Sequence, residues 1–559
     1  MEKKYMLHFF HERNYEPQSL QAFEREAAQA AQAGATHMYV MDVPKRFEEW
    51  SAHPGDPYPN WGMLQTCLFK LVVPRALEPY LDADYARRNL ELVRRRSEIV
   101  KKYGMQAAVV VIDPFYLPEQ AYLDHPAWRG PRCDHPRRSR DMYFSPCIDN
   151  EEVRGLYYEA MQRLCAEVDI GFFQIITNDS GAGVCWSTGL YNGPNGPEAC
   201  RKVSMADRIV GFLQVLYDAA RSQGRETLID ITSDIFGYKA PEASMDAAWT
   251  SLKPGQLVTG RDMHGKKPVY HMLSDLIEHV RPMQTLPMTV DFVRKLHAAA
   301  GSESEYIKAV IHRSEFNEYI RILDAYREMR PQDTAQLMNV LRHVAAQIVG
   351  EAQASKLLDA WCALDDAARI MSDLHFDNFI WMPLIAERVI NRPLVPVPAA
   401  LTEEETAYYA PFLFQATTEE QARDLLNIQG MDFVKGFTAT RILRLSVLKM
   451  TPALERAAVL FESIETDDDA VRGKLAVTAR RVRVLLCLSR TLSNAACYQD
   501  VLDHTRPDEQ PAYSTEWPIE GDARISRLNE CRNRQYLRAA SFDGWGAGGI
   551  LPHSGGRCA

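Results

Sequence analysis

The sequence predicts an α/β protein, namely a (β/α)8 TIM barrel followed by a C-terminal mainly α-helical domain. In the first part of the chain, short β-rich runs alternate with amphipathic helical stretches, which is typical of parallel strands joined by crossover helices. Helical periodicity replaces this alternation from about residue 333. We therefore expect the barrel at residues 1–330, the α-helical domain at 331–535 and a glycine-rich tail at 536–559.

The eight predicted strands are apolar runs bounded by polar residues or glycine, at 5–10, 36–41, 106–112, 172–177, 227–232, 256–259, 283–286 and 306–311. Two helices between them, 18–33 and 85–103, are predicted to end at Gly34 and Gly104, since glycine readily takes the positive φ found after a helix. The later helices are predicted at 335–348, 352–374, 403–409, 419–426, 438–449, 453–464 and 471–493.

The composition argues against several classes of protein. A formal charge of -10 gives no basic field to attract nucleic acid. No segment is apolar enough to cross a bilayer, and the N-terminal residues lack the apolar core of a signal peptide. We therefore expect a cytoplasmic protein that binds neither nucleic acid nor membrane. The helical domain could supply the interface of a homodimer.

The eleven cysteines are interpreted as free buried thiols, because they are odd in number and scattered through apolar or helical contexts. No Cys-x-x-Cys, His-x-x-x-His or His-Glu-x-x-His run occurs, so the sequence predicts no metal site. Neither a phosphate loop nor a Gly-x-Gly-x-x-Gly run follows an early strand. We therefore expect no cofactor.

Residues 172–183 carry the strongest functional signal. An apolar run stops on Asn178 and Asp179, and the glycines at 181 and 183 then allow a ligand to approach the backbone closely. This pattern suits a buried strand that delivers a carboxylate into a cleft. The alternative is that Asp179 only caps the helix that follows.

In a parallel barrel, active groups lie just past the carboxyl ends of the strands. Polar side chains follow seven of the predicted strands, and those selected as site candidates are His11, Asp42, Asn178, Asp179, Asp234, Arg261, Asp262, His264, Arg313 and Glu315. Since loops are polar everywhere, we expect only about half of such groups to contact a ligand. Asp113, before Pro114, and Asp230, inside a strand, are interpreted as structural.

The long loops after the second, third and fourth strands carry groups that suit a sugar. Aromatic rings that could stack on a pyranose are those of Trp61, Trp128, Trp186 and Tyr191, and side chains that could bind hydroxyls or a carboxylate substituent are Arg132, Asp134 and His135. The alternative for each aromatic residue is that it only holds its own loop in place.

Residues 1–330, and Asn178-Asp179 in particular, resemble the barrels of the retaining β-N-acetylhexosaminidases of glycoside hydrolase families 20, 84 and 85. The resemblance implies that Asn178 orients the 2-acetamido group and that Asp179 is the general acid. The His-x-Gly-Gly-x-Asp-Glu run of family 20 is absent, and Asp stands where many members have Glu. The plan of barrel plus helical domain also resembles the α-glucuronidases, which act on a uronic acid through carboxylates.

Glycoside cleavage needs one protonated carboxyl group and a second carboxylate or the acetamide of the substrate. Burial at the end of an apolar strand would raise the pKa of Asp179, as an acid requires. The candidates for the second carboxylate are Asp234, Asp262 and Glu315. Glu315 is favoured because Arg313 is close enough in sequence to keep it ionised. Asp262 is favoured for the same reason beside Arg261.

The sequence thus predicts an exo-acting glycoside hydrolase that works without a metal. One alternative is a uronic-acid-specific glycosidase with two carboxylates, and a second is a carbohydrate-binding barrel without catalysis. A third is a metal-dependent hydrolase or isomerase, whose ligands would come from His8, His11, Asp179, Asp234 and His264.

Overall fold

The computed structural model describes residues 3–10, 18–41, 66–133, 142–176, 183–186, 195–231, 257–258, 270–272, 286–312, 316–373, 402–409 and 436–504. These residues form two compact units. The first includes the described residues up to 354, except residue 286, and the second includes those from 355 onward. In these ranges, every helix is too short or too polar to cross a membrane.

The first unit is built on a parallel sheet of eight strands. They are β1 Lys4–Phe10, β2 Ala35–Tyr39, β3 Gln106–Ile112, β6 Ile170–Ile176, β7 Leu228–Ile231, β8 Leu257–Val258, β9 Tyr270–Met272 and β10 Tyr306–His312. Their order in the sheet is β8-β7-β6-β3-β2-β1-β10-β9. A separate antiparallel pair, β4 Arg129–Arg132 and β5 Phe144–Pro146, lies in the connection after β3.

The first and last of the eight parallel runs are neighbours, because β1 pairs in parallel with β10 as well as with β2. The sheet is also curled. Lys308 of β10 donates a hydrogen bond to Gln174 of β6, although three strands separate β10 from β6 in the sheet. Within the described residues, no pairing joins β8 to β9. The fold is therefore mixed α/β with a curled parallel sheet.

Helices follow most of the strands, and they are α1 Leu20–Gln32, α2 Ala83–Lys102, α3 Glu119–Asp124, α4 Glu151–Glu167, α5 Met205–Ser222, α6 Thr289–Gly301, α7 Phe316–Met329, α8 Thr334–Val349 and α9 Glu351–Asp373. Each long one turns an apolar face inward; in α1 this face is Phe23, Ala27 and Ala30. Side-chain caps fix several starts. For example, the Ser19 hydroxyl accepts a hydrogen bond from the Ala22 amide at the start of α1.

The second unit is helical. It contains most of α9, together with α10 Glu403–Tyr409, α11 Gly436–Ser463 and α12 Asp469–His504. The last two helices pack against each other, and Arg483 forms an ion pair with Glu462 at 2.6 Å between them. Two helices were predicted at 438–449 and 453–464, but α11 continues through Pro452. Residues 448 and 449 are exposed, so water can bond the carbonyl that proline leaves free.

Seven of the eight predicted strands are confirmed, with ends that differ by no more than two residues. The glycines that follow α1 and α2 have φ values of 84° and 75°, as predicted. The predicted strand at 283–286 lies outside the described residues except for Leu286, which is in a bend; the described strand that precedes β10 along the chain is β9. Pairing with β10 makes a strand of Tyr270–Met272, a run too short to stand out in sequence. The domain boundaries at 330 and 535 stay predictions.

The inner face of the curled sheet holds a cluster of buried residues, namely Met6, Tyr39, Ala108, Phe172 and Tyr306. Side chains two residues further along a strand point to the same face. Gln174 therefore lies on the same face as Phe172, two residues closer to the carboxyl end of β6. Lys308 lies in the same way relative to Tyr306 in β10. A polar layer thus covers an apolar one inside the sheet.

Candidate functional site

The carboxyl edge of the sheet is the region in which the sequence predicted the site. Of the predicted site residues, the structure describes Arg132 and Trp186, and it also describes Trp128, which was considered for sugar stacking. The others lie outside the described residues, namely His11, Asp42, Trp61, Asp134, His135, Asn178, Asp179, Tyr191, Asp234, Arg261, Asp262, His264, Arg313 and Glu315. The strands that precede them are parallel neighbours in one sheet, so their carboxyl ends share one edge.

A buried polar network lies below this edge. Gln174 is at its centre: its Oε1 accepts a hydrogen bond from Lys308 Nζ at 2.5 Å, and its Nε2 donates to Asp230 Oδ2 at 2.8 Å. The Tyr39 hydroxyl also donates to Gln174 Oε1, at 3.3 Å. The exposed fractions of Lys308 and Asp230 are 3% and 0%. An ammonium group and a carboxylate are thus linked through one amide inside the sheet.

An aromatic ring also lies close to the ammonium group. Lys308 Nζ lies 5.2 Å from the centre of the Tyr39 ring, which is cation–π distance. The half-buried His8 ring stacks on the same Tyr39 ring, with centroids 4.5 Å apart. The contacts connect β1, β2, β6, β7 and β10, so the network fixes the curvature of the sheet just below the strand ends.

The sequence analysis did not predict this network. It did interpret Asp230 as structural, and the complete burial of this residue in β7 agrees with that interpretation. Two signals were present. Gln174 is the polar residue in the run Ile170–Ile176, and Lys308 is a charged residue in the apolar run Tyr306–His312. Lysine is almost never fully buried unless it is paired, so an isolated lysine in a buried strand indicates a partner inside the fold.

Asp113 follows β3 and is fully buried. Its Oδ2 accepts a hydrogen bond from the Leu68 amide at 2.9 Å, and its Oδ1 accepts one from the Tyr157 hydroxyl at 3.1 Å. Burial raises the pKa of Asp113 from 3.8 to about 7, against the opposing effect of these hydrogen bonds. These contacts tie the connection after β2 and helix α4 to the end of β3, which is a structural role.

The Asp113→Asn substitution tests this pKa. Between about pH 4 and 7 the folded protein holds a proton on Asp113 that the unfolded chain has released, so stability falls as pH rises through this window. We expect the free energy of unfolding of the wild type, minus that of the variant, to fall by up to about 1.4 kcal/mol per pH unit there. Urea unfolding at several pH values measures this difference.

Subtraction is needed because His37 has the opposite effect. Burial lowers the pKa of His37 from 6.5 to about 4, so this residue makes stability rise with pH between these values. The His37 contribution is common to both proteins and cancels. A difference that stays constant from pH 4 to 7 would show that Asp113 is ionised throughout.

The connections after β3 and β6 meet in the described residues. The Asn195 side-chain oxygen accepts a hydrogen bond from the Arg132 amide at 2.8 Å, and the Asn195 carbonyl accepts one from the Trp186 amide at 2.8 Å. Gly196 has a φ of 143°, and a Cβ there would lie 2.7 Å from the Cys185 Cβ. Glycine at 196 is therefore required for the two arms of the connection after β6 to approach this closely.

The two described site candidates have specific neighbours. The side chain of Arg132 is half-buried at the end of β4. Trp186 has a φ of 60°, its indole N–H donates to the Pro197 carbonyl at 2.7 Å, and the Arg201 guanidinium lies 4.2 Å from its ring centre. One ring face of Trp186 is thus covered by Arg201. Sugar stacking on its other face stays a prediction.

The stacking role considered for Trp128 was wrong. Its ring is 2% exposed, lies against the His125 ring at 3.8 Å, and donates through Nε1 to Glu152 at 2.7 Å. A tryptophan followed by a polar, arginine-rich run looks like a loop residue in sequence. Here the short helical turn Pro126–Trp128 carries the ring into the core.

Three cysteines of these connections form one buried cluster, although they are far apart in sequence. Cys147 follows β5, and Cys185 and Cys200 follow β6; the Cys147 sulfur lies 3.5 Å from that of Cys200 and 3.6 Å from that of Cys185. The Cys185 thiol donates to Cys147, which lowers the pKa of Cys147 to about 6. The same interaction raises the pKa of Cys185, while burial and the Asp149 carboxylate raise that of Cys200 to about 12. One thiolate is thus stabilised among three sulfurs.

The eight described cysteines are free thiols, as predicted from sequence.

A pocket opens where the segment that follows β2 meets the segment that follows β3. It is lined by aromatic rings and two charged side chains, among them Tyr80, Tyr85, Phe115, Tyr116, Lys70 and Asp82. Aromatic faces beside charged groups are suited to binding a sugar ring.

Comparison with known proteins gives the fold type. No protein-family model matches the chain, and no curated protein matches it by sequence. A GH138 enzyme targeting pectin rhamnogalacturonan II is similar in structure, with a TM-score of 0.50 and 7% identity over 97% of this chain and 62% of that chain. At this identity, the similarity shows only that the two proteins share a similar fold.

Two further solved structures are less similar. They are the GH36 α-galactosidase AgaA from Geobacillus stearothermophilus, with a TM-score of 0.32 and 14% identity over 59% of this chain and 42% of that chain, and the pneumococcal virulence factor StrH, with 0.31 and 11% over 66% and 97%. The chain spans less than two thirds of the length of the GH138 enzyme and of the α-galactosidase.

Proposed function

We propose that the protein is a glycoside hydrolase that removes a terminal sugar at the carboxyl edge of a closed (β/α)8 barrel. The observation that carries this proposal is the curled parallel sheet with paired first and last strands, whose fold is similar to that of a GH138 enzyme over 97% of the chain. Barrels of this type place their active groups just past the strand ends. The predicted carboxylates follow these strands.

Asp179 is proposed as the general acid. It comes three residues after Ile176, the last residue of β6, so chain length alone keeps it within about 11 Å of the end of this strand. All of β6 except its last residue is buried, as predicted. Asn178 is proposed to hold the acetamido group of an N-acetylhexosaminide, as the resemblance to hexosaminidases implies.

Glu315 is the second carboxylate that the fold favours over Asp262. It comes three residues after β10, and the hydrogen bond between Lys308 and Gln174 shows that β10 and β6 face each other across the interior. A carboxyl group beyond each strand would then approach the substrate from opposite sides. Separations of about 5 Å and of about 6.5–9.5 Å correspond to retention and inversion, respectively.

A uronic-acid-specific glycosidase is the second candidate function. The similar GH138 enzyme targets pectin rhamnogalacturonan II, and the name of this polysaccharide denotes a galacturonic acid component. Two carboxylates would perform catalysis. An arginine such as Arg132 or Arg313 would bind the carboxylate of the substrate through paired hydrogen bonds.

A panel of nitrophenyl glycosides that includes neutral, N-acetylated and uronic sugars tests both candidates. We expect hydrolysis of one class, and for an N-acetylhexosaminide we also expect strong inhibition by a thiazoline, which mimics attack by the acetamide. Hydrolysis of a uronic substrate without thiazoline inhibition supports the second candidate. Sugar binding without hydrolysis would contradict both and identify a carbohydrate-binding barrel.

A further inference from the structure

Cys147, Cys185 and Cys200 meet Asp149 in a group whose potential ligand atoms all lie within 4.8 Å of one another. The first and last of these cysteines are 53 residues apart, so only the tertiary fold brings them together. The three cysteines are almost fully buried. Because the cysteines are far apart in sequence, a search for short-spaced cysteine pairs predicted no metal site.

The distances between the sulfurs fit a shared tetrahedral ion. With Zn–S bonds of about 2.3 Å, two sulfurs in a tetrahedral site are about 3.8 Å apart. The Cys147 sulfur lies 3.5 and 3.6 Å from the other two sulfurs, and all three lie within 4.8 Å of one another. A disulfide would need about 2.05 Å. The arrangement therefore needs only a small expansion to bind an ion at its centre.

The carboxylate supplies a fourth donor. Asp149 Oδ2 accepts a hydrogen bond from Arg208 Nη1 at 3.3 Å, whereas its buried Oδ1 accepts none within the part of the chain that the structure describes. Arg154 Nη2 lies 3.9 Å from Oδ1, which is beyond hydrogen-bond distance, and a buried carboxylate oxygen without a hydrogen-bond donor is costly unless a cation binds it. The Asp149 carboxylate belongs to the group that converges with the three sulfurs.

The surroundings also compensate the charge of a filled site. A divalent ion with three thiolates and one carboxylate carries two excess negative charges. The guanidinium groups of Arg208 and Arg154 both lie next to Asp149, with nitrogen–oxygen distances of 3.3 and 3.9 Å. Arg208 is 3% exposed and also donates to the Cys185 carbonyl at 2.6 Å, so it orients two of the donor residues.

We propose that Cys147, Cys185, Cys200 and Asp149 form a structural Zn²⁺ site that fastens the connection after β3 to the connection after β6. Three soft thiolates favour zinc over the hard ions magnesium and calcium. Four protein donors leave no open position for a substrate, which is typical of a structural site. The site would hold in place the two connections that carry Arg132, Trp186 and the proposed acid Asp179.

The metal content of the purified full-length protein tests this proposal. We expect about one zinc per chain after extensive dialysis, and less than about a tenth of this in Cys185→Ser. The matched control is Cys165→Ser, which removes a buried thiol outside the cluster and is expected to retain about one zinc. Replacing zinc by Co²⁺ is expected to give thiolate-to-metal charge-transfer absorption in the wild type and in the control only.

A second measurement does not depend on the folding of a variant. Removal of zinc from the wild type by a chelator is expected to speed hydrogen exchange at the amides of Trp186 and Arg132, which are bonded to Asn195. Wild-type protein that neither contains zinc nor binds added zinc would overturn the proposal. A disulfide between two of Cys147, Cys185 and Cys200, found by mapping the peptides of the unreduced protein, would also overturn it. Zinc retained in Cys185→Ser would place the ion elsewhere.

Discussion

Asp179→Asn is expected to lower kcat/KM for a glycoside with a poor leaving group by about 10²–10⁴-fold, because an amide cannot protonate the departing oxygen. A leaving group that departs readily as an anion needs no such proton. We therefore expect dinitrophenyl glycosides to be cleaved by the variant at close to the wild-type rate in the bond-breaking step. Initial rates over a series of leaving groups measure this contrast.

The pH dependence of the variant gives an independent check. A general acid must be protonated, so the wild-type rate should fall at high pH, and this limb of the profile should disappear in Asp179→Asn. The matched control is Asp113→Asn, which alters a buried carboxyl group with hydrogen-bond partners in the fold. Equal losses for good and poor leaving groups would remove Asp179 from the role of acid and leave it a role in binding.

The fold class was largely predictable because it depends on local patterns. Strand β3 is a continuous apolar run after Gln106, strand β10 is mostly apolar apart from Lys308, and a glycine with positive φ follows α1 and α2. Strand β9 was missed because its three residues become a strand only through pairing with β10. Long periodic elements are thus legible in sequence, whereas a short strand depends on its partner.

The chemistry inside the fold was less predictable because it depends on contacts between distant residues. Lys308 and Gln174 are 134 residues apart, and Cys147 and Cys200 are 53 apart. Spacing rules recognise ligands that lie on one helix or one turn, and neither set has such a spacing. Trp128 illustrates the opposite error, since an aromatic residue in a polar segment was considered a sugar platform although the fold buries it.

Lys308→Met is expected to lower the free energy of unfolding by about 3–5 kcal/mol. The substitution keeps most of the side-chain volume but removes the ammonium group that Gln174 links to Asp230. The carboxylate then stays buried without this cation, and breaking a buried ionic arrangement in this way is strongly destabilising. Chemical denaturation of the two proteins measures the difference.

The double variant Lys308→Met/Asp230→Asn separates the network from simple packing. Neutralising Asp230 removes the charge that Lys308 no longer balances through Gln174, so the double variant should recover at least about half of the stability lost by Lys308→Met. The matched control is Lys101→Met, at a lysine that is 75% exposed and 3.8 Å from Asp169, where we expect a change below about 0.5 kcal/mol. Additive losses in the double variant would show that Lys308 and Asp230 do not interact, and the network would then not be what holds β10 against β6.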